Sequence, residues 1–339
     1  MKTRFRKKIL SLQLVSIILL ALDLATSGAE AAAKLVGIYS ARVMSQSMPW
    51  IAQEAGLFRK NNLDFHLVYI ASSGMVTAAM LGGDAEISLI GGVGIVRAYA
   101  QGATDLVFVG SAKNVLPQSI LAGTELKRPE DLKGKKIGVT RIGGNTHYFT
   151  IQALRRSGLD PDRDVVFIQT GGEFETLAAL ANGAIHAATM TAPADAKAIA
   201  QGFHYVVYGP DLRIPYAATA FVTRRSLIAR RPQVVGQFMR AMAEAAKVLY
   251  TDREFTYRVL GKQLQVDDRK VLDAAYNEEI KALEPRLMIK AEALQAILDE
   301  VSQLDPRAKK VKPQELVDSR YLDEMEKGGF FDQLWGSKK

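Results

Sequence analysis

The sequence predicts an α/β protein of two lobes, each a mostly parallel sheet flanked by helices, and three observations predict it. Short apolar runs alternate with helical patterns from Lys34 to Gly202, as in βαβ units with right-handed crossovers. Met75–Gly102 aligns without gaps on Glu175–Gly202, an internal repeat at an offset of 100 residues. Beyond the first 33 residues about 305 remain, too many for one ordinary core.

Residues 1–33 read as a signal peptide. Lys2, Arg4, Arg6, Lys7 and Lys8 precede a mostly apolar stretch, Ile9–Leu22, and Ala29-Glu30-Ala31 or Ala31-Ala32-Ala33 supplies a small-x-small cleavage site. Ser11, Gln13 and Ser16 interrupt the stretch, which is short for a membrane span of about 20 residues. An exported, soluble, periplasmic protein is expected. The chain has no cysteine, which excludes disulfides, thiolate metal sites, a cysteine nucleophile and a lipidated N-terminal cysteine. Removing residues 1–31 takes five basic and two acidic side chains from the formal charge of +8 and leaves +5. That excess is scattered, so a nucleic-acid partner is not expected.

In chain order, Leu35–Tyr39 reads as a strand, Pro49–Lys60 as a helix and Asp64–Tyr69 as a strand. Ser73–Gly82 is a helix, Ala85–Ile90 a strand, Gly94–Gln101 a helix and Leu106–Val109 a strand. The second lobe opens on Asp131–Tyr148, where a strand over Lys135–Thr140 leads through Gly143-Gly144 into a helix capped by Asn145 or Thr146. The first N–H groups of such a helix lack intrahelical partners and can receive an anion. The repeat follows, with Gly83 matching Gly183 and Ala100-Gln101-Gly102 matching Ala200-Gln201-Gly202.

Lobe 1 is expected over 34–120 and 220–339, and lobe 2 over 121–219. Ser119–Ala122 and Ala218–Thr223 read as the two strands of a hinge, or else as ordinary edge strands within a lobe. The remainder is helical: Pro232–Tyr250, with proline in its first turn, then Asp252–Leu260, Asp268–Lys281 and Ala291–Gln303, packing on lobe 1. Val311–Phe331 is a tail with a short helix.

Three stretches carry a family resemblance: Pro49–Phe58 (PWIAQEAGLF), Asp84-Ala85-Glu86-Ile87 and Asp131–Val139 (DLKGKKIGV). In this order they resemble type II periplasmic binding proteins, the two-lobed receptors of ABC importers, of the NitT/TauT group for nitrate, sulfonates, taurine and thiamine precursors, also described as NMT-like. The resemblance implies a ligand held between the lobes by turns at the carboxyl ends of the strands. It also implies an inner-membrane ABC permease as partner, a monomer, no cofactor and no catalysis. The implied turns hold Ser40, Gln46 and Trp50; Ser72, Ser73 and Gly74; Gly92; Arg141, Gly144, Asn145 and Thr146; Thr170 and Gly172; and Thr191 and Asp195.

Ser72, Ser73 and Gly74 offer hydroxyls and N–H groups at a helix start, Asn145 and Thr146 stand likewise in lobe 2, and capping accounts for either group as well. Arg141 suits a carboxylate or sulfonate, or is a solvated loop arginine. Trp50 and Met48 suit an apolar wall or the core. Glu173 and Asp195 face the expected cleft, where they can accept from an amine, latch the lobes or stay solvated.

The four histidines show no metal spacing, and Walker A, nucleotide-fingerprint and nucleophile-elbow motifs are absent. The expected function is capture of a small organic anion or related solute: sulfonate, taurine, nitrate, carboxylate or pyrimidine-like. The alternatives are an enzyme on the same fold resembling pyrimidine synthases, whose cysteine motif is missing here, and a ligand-sensing partner of a membrane kinase.

Overall fold

The computed structural model describes residues 32–336. The signal-peptide reading falls almost entirely on residues 1–31, outside that range. Ala33 already opens the first strand, its N–H donating to the Asn62 carbonyl at 3.0 Å, so cleavage after Ala31 preserves the strand whole and cleavage after Ala33 shortens it. Among the described residues no helix is long and apolar enough to cross a membrane.

Two five-stranded sheets organise the chain. The first is ordered β2-β1-β3-β10-β4. Its strands are β1 (Ala33–Tyr39), β2 (Leu63–Tyr69), β3 (Ile87–Ile90), β4 (Leu106–Val115) and β10 (Pro215–Arg224). The second sheet is ordered β7-β6-β8-β5-β9. It contains β5 (Ser119–Ala122), β6 (Lys135–Val139), β7 (Val165–Gln169), β8 (Ala187–Met190) and β9 (His204–Val207). In each sheet the first three strands run parallel, and a strand from elsewhere in the chain, β10 or β5, joins antiparallel. Parallel strands need crossovers, and helices supply them.

In the first lobe these helices are α1 (Met48–Glu54), α2 (Leu57–Lys60), α3 (Ser73–Gly82) and α4 (Val93–Ala100). In the second they are α5 (Asn145–Arg156), α6 (Glu173–Ala181) and α7 (Ala194–Ala200). The sequence repeat maps onto α3-β3-α4 and α6-β8-α7. Gly83 and Gly183, and Gly102 and Gly202, all take positive φ, a conformation that a side chain at Cβ disfavours. The single helix expected over Pro49–Lys60 is two, because Gly56 at φ 69° ends one and starts the next.

β4 continues six residues past the expected end at Val109. Ser111, Lys113 and Asn114 look like loop residues, yet all three are buried. Two are satisfied from far along the chain, Lys113 by Glu279 and Asn114 Nδ2 by the Met288 carbonyl (2.8 Å), while Ser111 Oγ lies between the Lys113 (2.8 Å) and Thr219 (3.1 Å) carbonyls.

The hinge reading needs correction. Ser119–Ala122 is an interior strand of the second sheet, and Ala218–Thr223 lies inside β10 of the first. The chain passes between sheets at residues 116–118 and 208–214, joined where the Leu116 N–H donates to the Ile214 carbonyl at 3.0 Å. The sheets therefore put the crossings a few residues before each expected lobe boundary.

The C-terminal helices α8 (Pro232–Thr251), α9 (Arg253–Leu264), α10 (Arg269–Ile280) and α11 (Ala291–Leu304) follow. Val235, Phe238, Met239 and Met242 of α8 are buried against Leu35, Phe65 and Val109 of the first sheet. α11 also reaches the second lobe: Tyr148 donates to the Ala296 carbonyl (3.3 Å), and Gln152 and Arg155 both donate to Glu300 (2.8 Å).

Candidate functional site

A cavity of about 260 Å³ lies between the sheets, lined by the turns after β1, β2, β6, β7 and β8 and by Gln118 of the first crossing. This is where open α/β sheets bind ligands, because helix starts and strand ends leave backbone polar groups unpaired there.

On the first lobe, Gln46 shapes the wall. Its Oε1 accepts from the N–H groups of Ser40 (2.9 Å) and Ala41 (3.0 Å), and its Nε2 donates to Ser40 Oγ (2.9 Å). That turn carries Arg42, whose guanidinium sits 4.8 Å over the Tyr69 ring. Tyr69 packs on Tyr39 (5.2 Å), and Tyr39 meets Trp50 edge-on (5.5 Å). Trp50 is thus core, as is fully buried Met48, and neither walls the cavity. Ser72 and Ser73 line it at the start of α3. Ser72 takes φ 75°, and its buried Oγ has no partner among the described residues.

On the second lobe, Thr146 Oγ1 accepts from the Thr140 N–H (3.0 Å) and tightens the turn into α5. Asn145 reaches back to the first lobe: Nδ2 donates to the Ala218 carbonyl (3.3 Å), and Oδ1 accepts from the Tyr216 hydroxyl (2.7 Å). A Cβ on Gly91 would overlap that carboxamide. Gly172 and Glu173 line the start of α6, and Glu173 Oε2 accepts from the Thr191 N–H at 3.1 Å. Burial, reinforced by Asp195, Glu279 and Glu175, raises Glu173 to about 8 against that single bond.

Of the expected site residues, the structure gathers Ser40, Gln46, Ser72, Ser73, Asn145, Thr146, Gly172 and Thr191 around one cavity. Trp50, Gly74, Gly92, Arg141, Gly144, Thr170 and Asp195 are not on its lining. Arg141 lies instead against Gly74, its Nε 3.1 Å from where a Cβ there would be. Gly92 donates to the Ala217 carbonyl (2.9 Å) and packs under Ile297. Gly144 caps α5, and Thr170 donates to the Val139 carbonyl at 3.0 Å.

Asp195 belongs to a second cavity of about 560 Å³, which Lys113, Arg213, Glu278 and Glu279 also line. Its Oδ2 accepts from the Tyr205 hydroxyl (3.2 Å), and burial raises it to about 6. His147 accepts from the Gly143 N–H (3.2 Å) beside Phe167, and burial lowers its pKa. Among the described residues no His/Asp/Glu group is arranged to hold a metal.

Sequence reasoning missed Arg42, Tyr69, Gln118 and Glu175 on the lining. The turn holding Arg42 was in view, but a lone loop arginine has no pattern, and Gln118 stands outside every motif.

Residues 47–254 match the family model described as NMT1/THI5 like. The chain belongs to the NMT1/THI5-like family. The NMT-like resemblance read from the sequence therefore holds. Among curated relatives, the taurine-binding periplasmic protein of Escherichia coli (strain K12) is 27% identical over 182 residues, 51% of this chain and 54% of that one. The chain thus spans about half the length of that relative.

Among solved structures, a protein of Bordetella bronchiseptica RB50 matches this NMT1/THI5-like chain with TM-score 0.77 and 21% identity, over 87% of this chain and 98% of that one. The alkanesulfonate-binding protein SsuA from Xanthomonas axonopodis pv. citri, bound to MOPS, matches with TM-score 0.69 and 21% identity, over 84% and 96%. At these identities the likeness is one of fold, the two-lobed α/β fold of periplasmic binding proteins.

Proposed function

We propose that this protein is the solute-capturing component of an ABC importer, exported to the periplasm, monomeric, and closing on a small anionic organic solute that it delivers to an inner-membrane permease. One observation carries the reading: inside a cleft between two lobes, Ser72 Oγ at the start of α3 and Gln118 Oε1 at the crossing are buried and have no partner among the described residues. An unmet buried polar group costs about 1–3 kcal/mol, which a bound solute offsets. Arg42 and the first-turn N–H groups of α3 favour an anionic head. The names of the taurine-binding and alkanesulfonate-binding relatives support a sulfonate as that head.

Among the described residues no histidine lines the cleft, and the chain has no cysteine, so capture accords better with the lining than cysteine or histidine-assisted nucleophilic chemistry. A thermal-shift screen of the purified protein against sulfonates, carboxylates, nitrate and pyrimidines tests the reading. A ligand at 100 times its Kd stabilises by about 2.7 kcal/mol, a shift of several degrees. A panel without any shift contradicts it.

A further inference from the structure

The two cleft walls differ in charge: the start of α6 brings two carboxylates where the equivalent start of α3 brings none, and Arg42 stands on the first lobe. At the repeat offset of 100, Ser72 and Ser73 of the first lobe correspond to Gly172 and Glu173 of the second, and each pair starts a crossover helix lining the cavity. The first turn of α3 has no acidic side chain, whereas that of α6 has Glu173 and Glu175. Glu175 folds back over Gly172, so a carboxylate already occupies the start of α6. Arg42 is the one cation on the described lining, against two carboxylates.

Glu173 is about nine-tenths buried and, among the described residues, meets no cation. Lys113 is held by Glu279. The other groups facing Glu173 are the carboxylates Glu175 of its own helix, Asp195 of α7 and Glu279 of α10. Independently, Gln118, a residue 5% exposed that lines the same cavity, has a buried carboxamide oxygen that accepts from no donor among the described residues. Unmet donors and a cation thus belong to the first lobe, while unmet acceptors belong to α6 and the crossing.

Resting on the receptor reading above, we infer that the solute is a zwitterion: its sulfonate or carboxylate head is held by Arg42 and the start of α3, and its protonated nitrogen by Glu173, Glu175 and Gln118. A simple anion of similar size meets the acidic wall unfavourably. A zwitterion is complementary to both walls, and its specificity rests on a buried carboxyl that ionises only where a cation offsets its burial. Burial keeps the empty site's Glu173 protonated at neutral pH, and an arriving ammonium favours the ionised form. Binding therefore releases a proton from Glu173 to the buffer.

Calorimetric titration of the purified protein with taurine and with isethionate, which replaces the ammonium by a hydroxyl, tests this, with β-alanine and 3-hydroxypropionate as the carboxylate pair. The amino compound of at least one pair is expected to bind at least about tenfold tighter than its hydroxyl partner, with that preference falling severalfold in Glu173→Gln. Repeating at pH 7 in buffers of different ionisation enthalpy is expected to show proton release with the amino compound, absent in the variant. Hydroxyl compounds that bind as tightly as amino compounds overturn the inference and leave the receptor reading standing; that comparison needs no variant. A preference for amino compounds that persists undiminished in a folded Glu173→Gln overturns the assignment to Glu173. Failure of all four to bind overturns the inference, and a simultaneous hit with another solute in the thermal screen shows that the receptor reading survives it.

Discussion

Asn145 of the second lobe accepts a 2.7 Å hydrogen bond from the Tyr216 hydroxyl of the first, directly above Gly91. Tyr216 in turn accepts from the Val93 N–H at 3.0 Å, which ties the contact to the start of α4. The bond joins the two lobes, so on the proposed capture by closure it favours the closed form.

Gly91→Ala places a methyl group inside the Asn145 carboxamide. Closure is hindered while each lobe keeps its own core, so apparent solute affinity should fall by about tenfold or more. Asn145→Ala removes the same two bonds, about 0.5–1.5 kcal/mol each, and should weaken binding to a similar extent. Titration calorimetry on both variants checks it; equal affinity in wild type and Gly91→Ala rules out the latch.

Arg42→Ala should weaken the anionic solute by about 10- to 100-fold, the effect of losing a charge-assisted contact worth about 1.5–3 kcal/mol. Arg141→Ala, off the lining, should change affinity much less. A larger loss in Arg141→Ala than in Arg42→Ala reverses the assignment of the anion grip.

Lys113 and Glu279 form a fully buried ion pair beside the first crossing, and Thr191 of the second lobe reaches Glu279 at 3.5 Å. Lys113→Met leaves a buried carboxylate unpaired and should destabilise the fold by about 3–5 kcal/mol. Adding Glu279→Leu removes that orphan and should restore much of the loss. Urea denaturation of the two variants decides it, and a double variant no better than Lys113→Met contradicts the pairing.

The ligand-free protein should lose stability as pH rises. A Glu173 held near 8, against 4.5 for an ordinary glutamate, binds its proton more tightly folded than unfolded. Its contribution is full below about 4.5 and is lost as pH climbs through 8. Asp195, raised to about 6, adds to the decline at lower pH, and His147, lowered by burial, acts in the opposite direction below 6.5. From 6.5 to 8 the decline belongs to Glu173. Melting temperatures across that window should fall in wild type and stay nearly flat in Glu173→Gln.

Much of this fold was legible because it is local. The alternation from Leu35 to Leu106 and the glycines at 83, 183, 102 and 202 mark strands, helices and positive-φ turns within a few residues of where they fall. What escaped depends on distant partners. β4 looked finished at Val109 because nothing nearby shows that Glu279, 166 residues on, pairs with Lys113. Ser119–Ala122 suited a crossing by length and apolarity, and only its neighbours β8 and β9 make it an interior strand. In the site, the turns were legible but the inward-facing side chains were not. Arg42 and Arg141 look alike as loop arginines, and the Tyr69 ring beneath one and Gly74 beneath the other separate them.

The most direct test of solute capture by closure is small-angle scattering of the purified protein with and without the compound giving the largest thermal shift, alongside Gly91→Ala. Closure on the solute should give a smaller radius of gyration on saturation in wild type and a weaker contraction in the variant. A saturating ligand that leaves the wild-type profile unchanged would contradict it.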